Sequence, residues 1–454
     1  MSRSVWGVVG CGVLTASPIS GAQATPSSFI VMDSVGIRVV SSEYPDTLVS
    51  PIWEFPELAD LSIGTEEGGD EYLLHRVGPV IRLDDGRILV SNGGTELRLF
   101  DAGGTYLKTI GQEGDGPGEF RDISAVRLSG RDAVIVADRW SHRVTRVGLD
   151  GNLEATYRTA GPSVEGLLDG ERAVGTTGGG WSPAKQGRVG YAATEVRVHL
   201  VDVTTGFEDT LAVLPGPSWW ASQGRGGALQ SRPVPWTTMT VFAVGRDRIA
   251  VAWTGKSEVR VHDATGAVDR IVRWSQDPEH VSAEDVEDLI QRAPVESRRD
   301  YGRIPLPDTK PMFGRVLLDD ANVIWVGMNE RRPDGRRRWI VFNRGGVAEG
   351  YVDTPPRVRV RSISSGYLVG VEVDDLGVER VVVFKMKGRS GRAPTSTYED
   401  GPLLEPRAGS GPSGHPRGAG GVENPETKRL CAGAARSFLQ VAGGRDRRTS
   451  AAIR

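Results

Sequence analysis

Asp85-Gly86-Arg87-Ile88-Leu89-Val90-Ser91-Asn92, followed by Glu96-Leu97-Arg98-Leu99-Phe100-Asp101-Ala102-Gly103-Gly104-Thr105-Tyr106-Leu107-Lys108-Thr109-Ile110, is the stretch that decides the fold. It contains a turn, a short apolar strand, a gap, an alternating strand, a tight turn with glycine and a further strand. Leu97 and Leu99 share one face while Glu96 and Arg98 take the other, which is the period of a strand with one buried side. Asp-Ala-Gly-Gly supplies residues that tolerate positive φ in a hairpin turn.

The same order returns along the chain. Arg131 to Asp138 leads to His142 to Leu153, Arg246 to Trp253 leads to Glu258 to Val268, and Asp320 to Val326 leads to Arg338 to Gly346. Weaker copies surround Asp169-Gly170 and Ser365-Gly366. The turns fall near residues 86, 131, 170, 246, 320 and 366, which makes six units. The two widest spacings, 170 to 246 and 246 to 320, each leave room for an insertion. One such sheet cannot bury both faces alone. Stacking the sheets radially buries them and leaves only short edges, and a repeat of roughly 40–50 residues suits a four-stranded blade. A β-sandwich would not repeat its turn chemistry at this interval. The fold class is therefore all-β: a six-bladed β-propeller over 25–387, with a short inserted helix and a C-terminal tail. Composition agrees, since Gly is 60 and Pro 27 of 454 residues, too turn-rich for a helical bundle.

A family resemblance joins these observations. Ile110-Gly-Gln-Glu-Gly-Asp-Gly-Pro-Gly-Glu-Phe120, then Val134-Ile-Val-Ala-Asp138 and His142-Arg-Val-Thr145, resembles an NHL-type repeat. Residues 28–387 more broadly resemble exported bacterial six-bladed propeller proteins, on Asp33 to Val40, Gly114 to Phe120, Leu306 to Gly314 and Leu376 to Phe384. The resemblance implies the fold and leaves the activity open. Phe29 to Val40 reads as a hairpin before the first blade, and it is expected to add a strand to the last blade and lock the ring.

The two ends differ in kind from the body. Arg3, the apolar run from Val5 to Ile19, and Ala22-Gln23-Ala24 have the anatomy of an export signal over 1–24, leaving Thr25 first. Val8-Val9-Gly10-Cys11 offers a rival lipoprotein box, with only ten residues before the cysteine. Residues 388–454 lose the period of two and are rich in Gly, Pro, Ser and Arg. Such a segment cannot bury enough apolar surface to offset its ordering entropy, so it reads as disordered. It is net basic, so the body is net acidic, and a role on nucleic acid is not expected. Cys11 and Cys431 are the only cysteines, too few for a disulfide framework or a cysteine-rich zinc module.

Ligands of such folds meet the loops at a mouth of the channel, so departures from the repeat attract attention. The first insertion, Thr176 to Trp236, holds Trp181, Tyr191, Trp219, Trp220 and Trp236 among Gly- and Pro-rich segments. Rings on loops suit stacking on sugars, peptides or other flat ligands, and these five are the candidate ligand-binding residues. The competing reading makes them packing. The second insertion carries a helix opened by Ser282-Ala-Glu-Asp285, a capping box, with Val286, Leu289 and Ile290 on one face.

No catalytic constellation stands out. The six histidines show no short ligand spacing, Gly114 to Gly118 lacks the Lys and Ser/Thr of a P-loop, and no G-x-S-x-G elbow occurs. Asp138 and His142 read as turn residues. The expected role is an exported binding or scaffold propeller for a protein, peptide or carbohydrate, with no cofactor assigned. The alternative is a metal-dependent, lactonase-like hydrolase or lyase holding calcium or zinc. That chemistry would need acidic, Asn or His residues on the axis, and Val80-Ile-Arg-Leu83 and Ala125-Val-Arg-Leu128 are poor in them.

Overall fold

A computed structural model of the chain describes residues 29–43, 51–159, 161–179, 183–224, 227–364 and 366–388. The chain divides into two units, Met1–Thr397 and Tyr398–Arg454, and every described residue belongs to the first. The export-signal reading of 1–24 and the disorder reading of the tail from 389 fall outside the described residues.

Six antiparallel sheets follow one another as blades. Their innermost strands are Val80–Arg82, Ile123–Ser129, Ser163–Leu167, Thr240–Val244, Arg315–Leu318 and Val358–Ser364. Gly86, Arg131, Gly170, Arg246, Asp320 and Gly366 each lie between a blade's first and second strands. Blades one to five then turn from third to fourth strand at Asp101, Asp150, Asp202, Asp263 and Asn343. The carboxylate makes the turn: Asp101 Oδ1 accepts from Gly103 N at 2.9 Å and Thr105 N at 2.8 Å. Gly104 follows at φ +86°, a conformation that a Cβ would strain.

The apolar face of each strand decides what holds the ring. Six buried clusters fill the six junctions between neighbouring blades. Leu89 and Leu97 of blade one meet Val134 and Val136 of blade two. Phe100 and Val90 of blade one meet Val369 and Val381 of blade six, so the last junction is packed like the others. Burial of this kind contributes about 25 cal/mol per Å² of apolar surface, and no blade obtains it alone.

Closure corrects one sequence expectation. The hairpin Phe29–Ser34 and Ile37–Ser42 joins blade four, where Ile37–Ser42 runs parallel to Val268–Trp274. Its outer strand is exposed throughout. The strand that locks the ring is Leu61–Ile63, antiparallel to Glu379–Lys385 as the fourth strand of blade six. Between them the chain touches blade five, where Ile52 N donates to Tyr351 O at 3.0 Å. Trp53 stacks on Trp325 with centroids 5.2 Å apart. The chain before blade one thus braces blades four, five and six in turn.

A second correction concerns the first insertion. The span 176–236 contains the two outer strands of blade three, Glu195–Asp202 and Glu208–Pro215. What departs from the repeat is shorter: 179–194 inside blade three and 216–239 before blade four. The second insertion holds the helix Ala283–Arg292, whose capping box is formed by Ser282 and Asp285.

Candidate ligand-binding channel

The innermost strands enclose an axial cavity of about 910 Å³, lined by residues of all six blades. At one mouth the turns after the inner strands meet. Asp169 N donates to Arg246 O at 2.8 Å, and Asn322 Nδ2 to Asp247 Oδ1 at 2.6 Å. Toward the other mouth, Ile123 N donates to Gly94 O at 2.8 Å. Three inner strands break register at Ser124, Glu165 and Arg361. A bulge re-aims the extra side chain, and all three line the cavity.

The wall carries charge of both signs, with seven arginines, five aspartates and Glu165 among its lining residues. Arg127 crosses from blade two to blade four, where it donates to the Gly245 carbonyl. Its Nε lies 3.3 Å from Asp169 Oδ1 of blade three, and Arg246 joins the same carboxylate at 3.2 Å. Burial pushes the Arg127 guanidinium down from the ordinary arginine range, and Asp169 pulls it back. Arg82 lies 4.0 Å over the Tyr367 ring. Arg139 pairs with Asp122 at 2.8 Å.

Arg315 and Arg361 are placed differently. Arg315 donates from Nη1 to Val360 O at 2.7 Å, and Arg361 from Nη2 to the Val77 carbonyl. Burial pushes Arg315 down to about 10, with Arg361 and Arg337 adding repulsion. Burial also lowers Arg361, and neighbouring Arg359 lowers it further. At the turn mouth burial raises Asp319 to about 6, and Asp320 adds to that. The backbone N–H groups of Ala321 and Val323, each 2.9 Å from Asp319 Oδ1, oppose the rise.

The four described aromatic residues, Tyr191, Trp219, Trp220 and Trp236, do not line this cavity. Trp181 lies outside the described residues. Tyr191, Trp219 and Trp220 enter one three-stranded sheet of Gly190–Ala192, Trp219–Gln223 and Leu229–Pro233. Register puts Trp220 beside Tyr191 and Arg232, and Trp219 beside Ala192 and Pro233. Adjacent residues of a strand face opposite ways, so the two tryptophans occupy opposite faces. Trp219 Nε1 donates to Gly179 O at 3.2 Å, and Tyr191 Oη meets Ser218 Oγ at 2.8 Å. Arg232 reaches Asp300 at 3.3 Å and lies over Tyr301. Trp236 is half-buried in the next loop at φ +52°. Of the described four, Tyr191 is the most open to solvent, at 54%.

The Gly-rich turn at 110–120 and the strands that follow it have structural work. Asp138 accepts from the backbone N–H of Arg121 at 2.7 Å and of Trp140 and Ser141 at 3.0 Å each. Arg143, buried, holds the Gly-rich turn through the carbonyls of Asp115, Gly116 and Glu119. His142 sits at φ +50° in the turn between them. Among the described residues no three His, Cys, Asp or Glu side chains gather as a metal site would require, and no helix is long and apolar enough to cross a membrane.

Sequence reasoning passed over the axial arginines. Arg82 and Arg127 stand in the quoted inner strands, where only acids and histidines would mark a metal site. Arg361 sits on a bulge, where alternation stops reporting the face.

Comparison with known proteins agrees on the architecture. Residues 60–159, which hold the closing strand and blades one and two, match a family model described as a 6-bladed beta-propeller. No curated protein matches the sequence. Among solved structures, a DUF4221 family member from Bacteroides vulgatus is 12% identical, over 73% of this chain and 98% of that one, with a TM-score of 0.44. The Cps50 (Swd1) β-propeller domain of Myceliophteria thermophila is 13% identical over 73% and 99%, at 0.35. The calcium-binding protein regucalcin from Agrobacterium tumefaciens is 10% identical over 75% and 98%, at 0.34.

Proposed function

We propose that this chain is an exported binding propeller that takes a small ligand into its axial channel. The observation that carries the reading is the cavity of about 910 Å³ with inner strands of all six blades in its wall. That volume falls in the ordinary range of ligand pockets, roughly 300–1,000 Å³. The wall is polar and charged, and it is held by interblade contacts that do not depend on a loop closing. No metal is part of this reading. Tyr191, exposed on the edge strand of the inserted sheet, is the contact we propose for a larger peptide or carbohydrate partner. Export rests on the signal-like sequence before Thr25, and the N-terminal residue of the protein recovered outside the cytoplasm checks it.

The test of the channel is a thermal-shift panel of small metabolites and sugars on the full-length protein and on Ser129→Trp. Ser129 ends the inner strand of blade two and lines the cavity, so an indole there occupies ligand space. A ligand that raises the melting temperature of the first protein only supports the reading. A ligand that raises both alike binds elsewhere and defeats it.

A further inference from the structure

Four arginines of the inner strands line the channel: Arg82, Arg127, Arg315 and Arg361. Two of them are accounted for, since Arg127 has Asp169 and Arg82 has the Tyr367 ring. The other two stand on neighbouring blades, five and six, near enough to repel one another. Among the described residues neither has a carboxylate within ion-pair distance. The acid that acts on Arg361, Glu379, is already committed to Arg359 at 2.5 Å and to Val77 N at 2.6 Å. Arg315 and Arg361 each hold one backbone carbonyl, and Arg361 Nε is buried with no hydrogen-bond partner.

A guanidinium presents five donors in a planar fork. Holding two of them in a wall, each with one backbone acceptor and no ion-pair partner, costs free energy that these contacts return only in part. The cost makes physical sense if a ligand brings the missing acceptors and charge. Two unbalanced positive charges call for two negative ones on a compact group. Arginine forks match tetrahedral oxyanions through paired N–H···O bonds.

We propose that Arg315 and Arg361 bind a dianionic oxyanion group of the phosphate type, carried by the ligand of the axial channel. This rests on the reading of the channel as a binding site. The net acidic body repels a dianion at long range, so the attraction is local to these two guanidiniums and selects ligands whose anionic group is compact and strong.

The experiment is a thermal-shift titration of the full-length protein with inorganic phosphate against sodium chloride of equal ionic strength, at mildly alkaline pH where phosphate is a dianion. Phosphate is expected to raise the melting temperature along a saturating curve, as a ligand of the folded state does. Arg315→Gln and Arg361→Gln are each expected to melt higher than the parent protein in chloride and to weaken phosphate binding by at least about tenfold. Arg292→Gln, on the inserted helix and not among the channel-lining residues, keeps the phosphate response. Should a glutamine variant fail to fold, Arg361→Lys keeps the charge without the fork and still binds phosphate several-fold more weakly.

An undiminished phosphate response in Arg315→Gln and Arg361→Gln overturns the proposal, as does an equal rise in chloride. A larger response to acetate than to phosphate overturns the dianion. No phosphate response in the parent protein overturns it too, while a neutral ligand that distinguishes the parent from Ser129→Trp would leave the channel reading standing.

Discussion

The inserted aromatic sheet and the axial wall invite opposite readings in sequence and exchange them in structure. The sheet breaks the repeat and concentrates tryptophan, which suggests a ligand surface. Yet Trp219 and Trp220 face opposite ways, and Arg232 is tied to Asp300 and Tyr301. The wall obeys the repeat and looks like scaffold. It nevertheless keeps Arg315 and Arg361 without an ion-pair partner in a cavity. The difference teaches where to look in a repeat fold. Irregular segments must find partners to be ordered at all, so their large side chains are spent on packing. A regular frame is already stable through its blade junctions, and it can carry groups left unpaired.

The largest effect expected from this contrast is that of Trp220→Ala. The indole is half-buried, its ring nitrogen fully so, between Tyr191 and Arg232. Its loss should cost about 2–3 kcal/mol, somewhat below a fully buried tryptophan. A chemical denaturation curve measures this. An unchanged midpoint would restore Trp220 as a free binding residue and undo half of the comparison.

Within the wall the two kinds of arginine should respond with opposite signs. Arg127→Gln removes an ion pair with Asp169 and a tie between blades two and four. We expect it to lower stability by about 1–2 kcal/mol, the usual cost of a charged hydrogen bond lost from a partly buried site. The glutamine variants of Arg315 and Arg361 should raise it in the absence of anions. Melting temperatures in chloride decide the matter. If all three arginines fall together, the distinction between paired and unpaired charge in the wall is wrong.

How much of this was legible beforehand depends on whether the signal is local. The Asp-Ala-Gly-Gly turn at Asp101, its counterpart Asp263-Ala264-Thr265-Gly266, the alternation of Glu96 to Phe100, and the Ser282 capping box are decided within a few residues. All are found in place. The closing strand is not of that kind. Leu61-Ser62-Ile63 is three residues long, too short to show a period, and its partner lies more than three hundred residues away. The hairpin Phe29–Ser42 carried a clear strand signal, but nothing in it names the edge it joins. Its parallel pairing with blade four follows from the path the chain takes around the ring. The axial site was half visible. Arg127 could be placed on an inner strand from alternation, whereas the bulge at Arg361 shifts its side chain off the face that counting assigns.

A further expected effect, spread over pH, tests whether the turn mouth shares the wall's electrostatic character. Burial holds the Asp319 carboxyl at about 6, above its ordinary 3.8. The folded state therefore keeps a proton that the unfolded chain releases. Stability from this group is fully present below about 4 and is lost as pH rises through about 6. Asp319→Asn cannot titrate, and its amide oxygen can still accept from Ala321 N and Val323 N, as Oδ1 does now. It gives up the Trp325 Nε1 contact to Oδ2, which at 3.4 Å is long. The parent protein should thus lose stability against the variant between pH values of about 4 and 6, by on the order of 2 kcal/mol. Denaturation midpoints across that window measure it. A difference that stays constant with pH would mean that Asp319 is ionised throughout, with its backbone donors outweighing burial, and that unbalanced charge in this channel is confined to the two arginines.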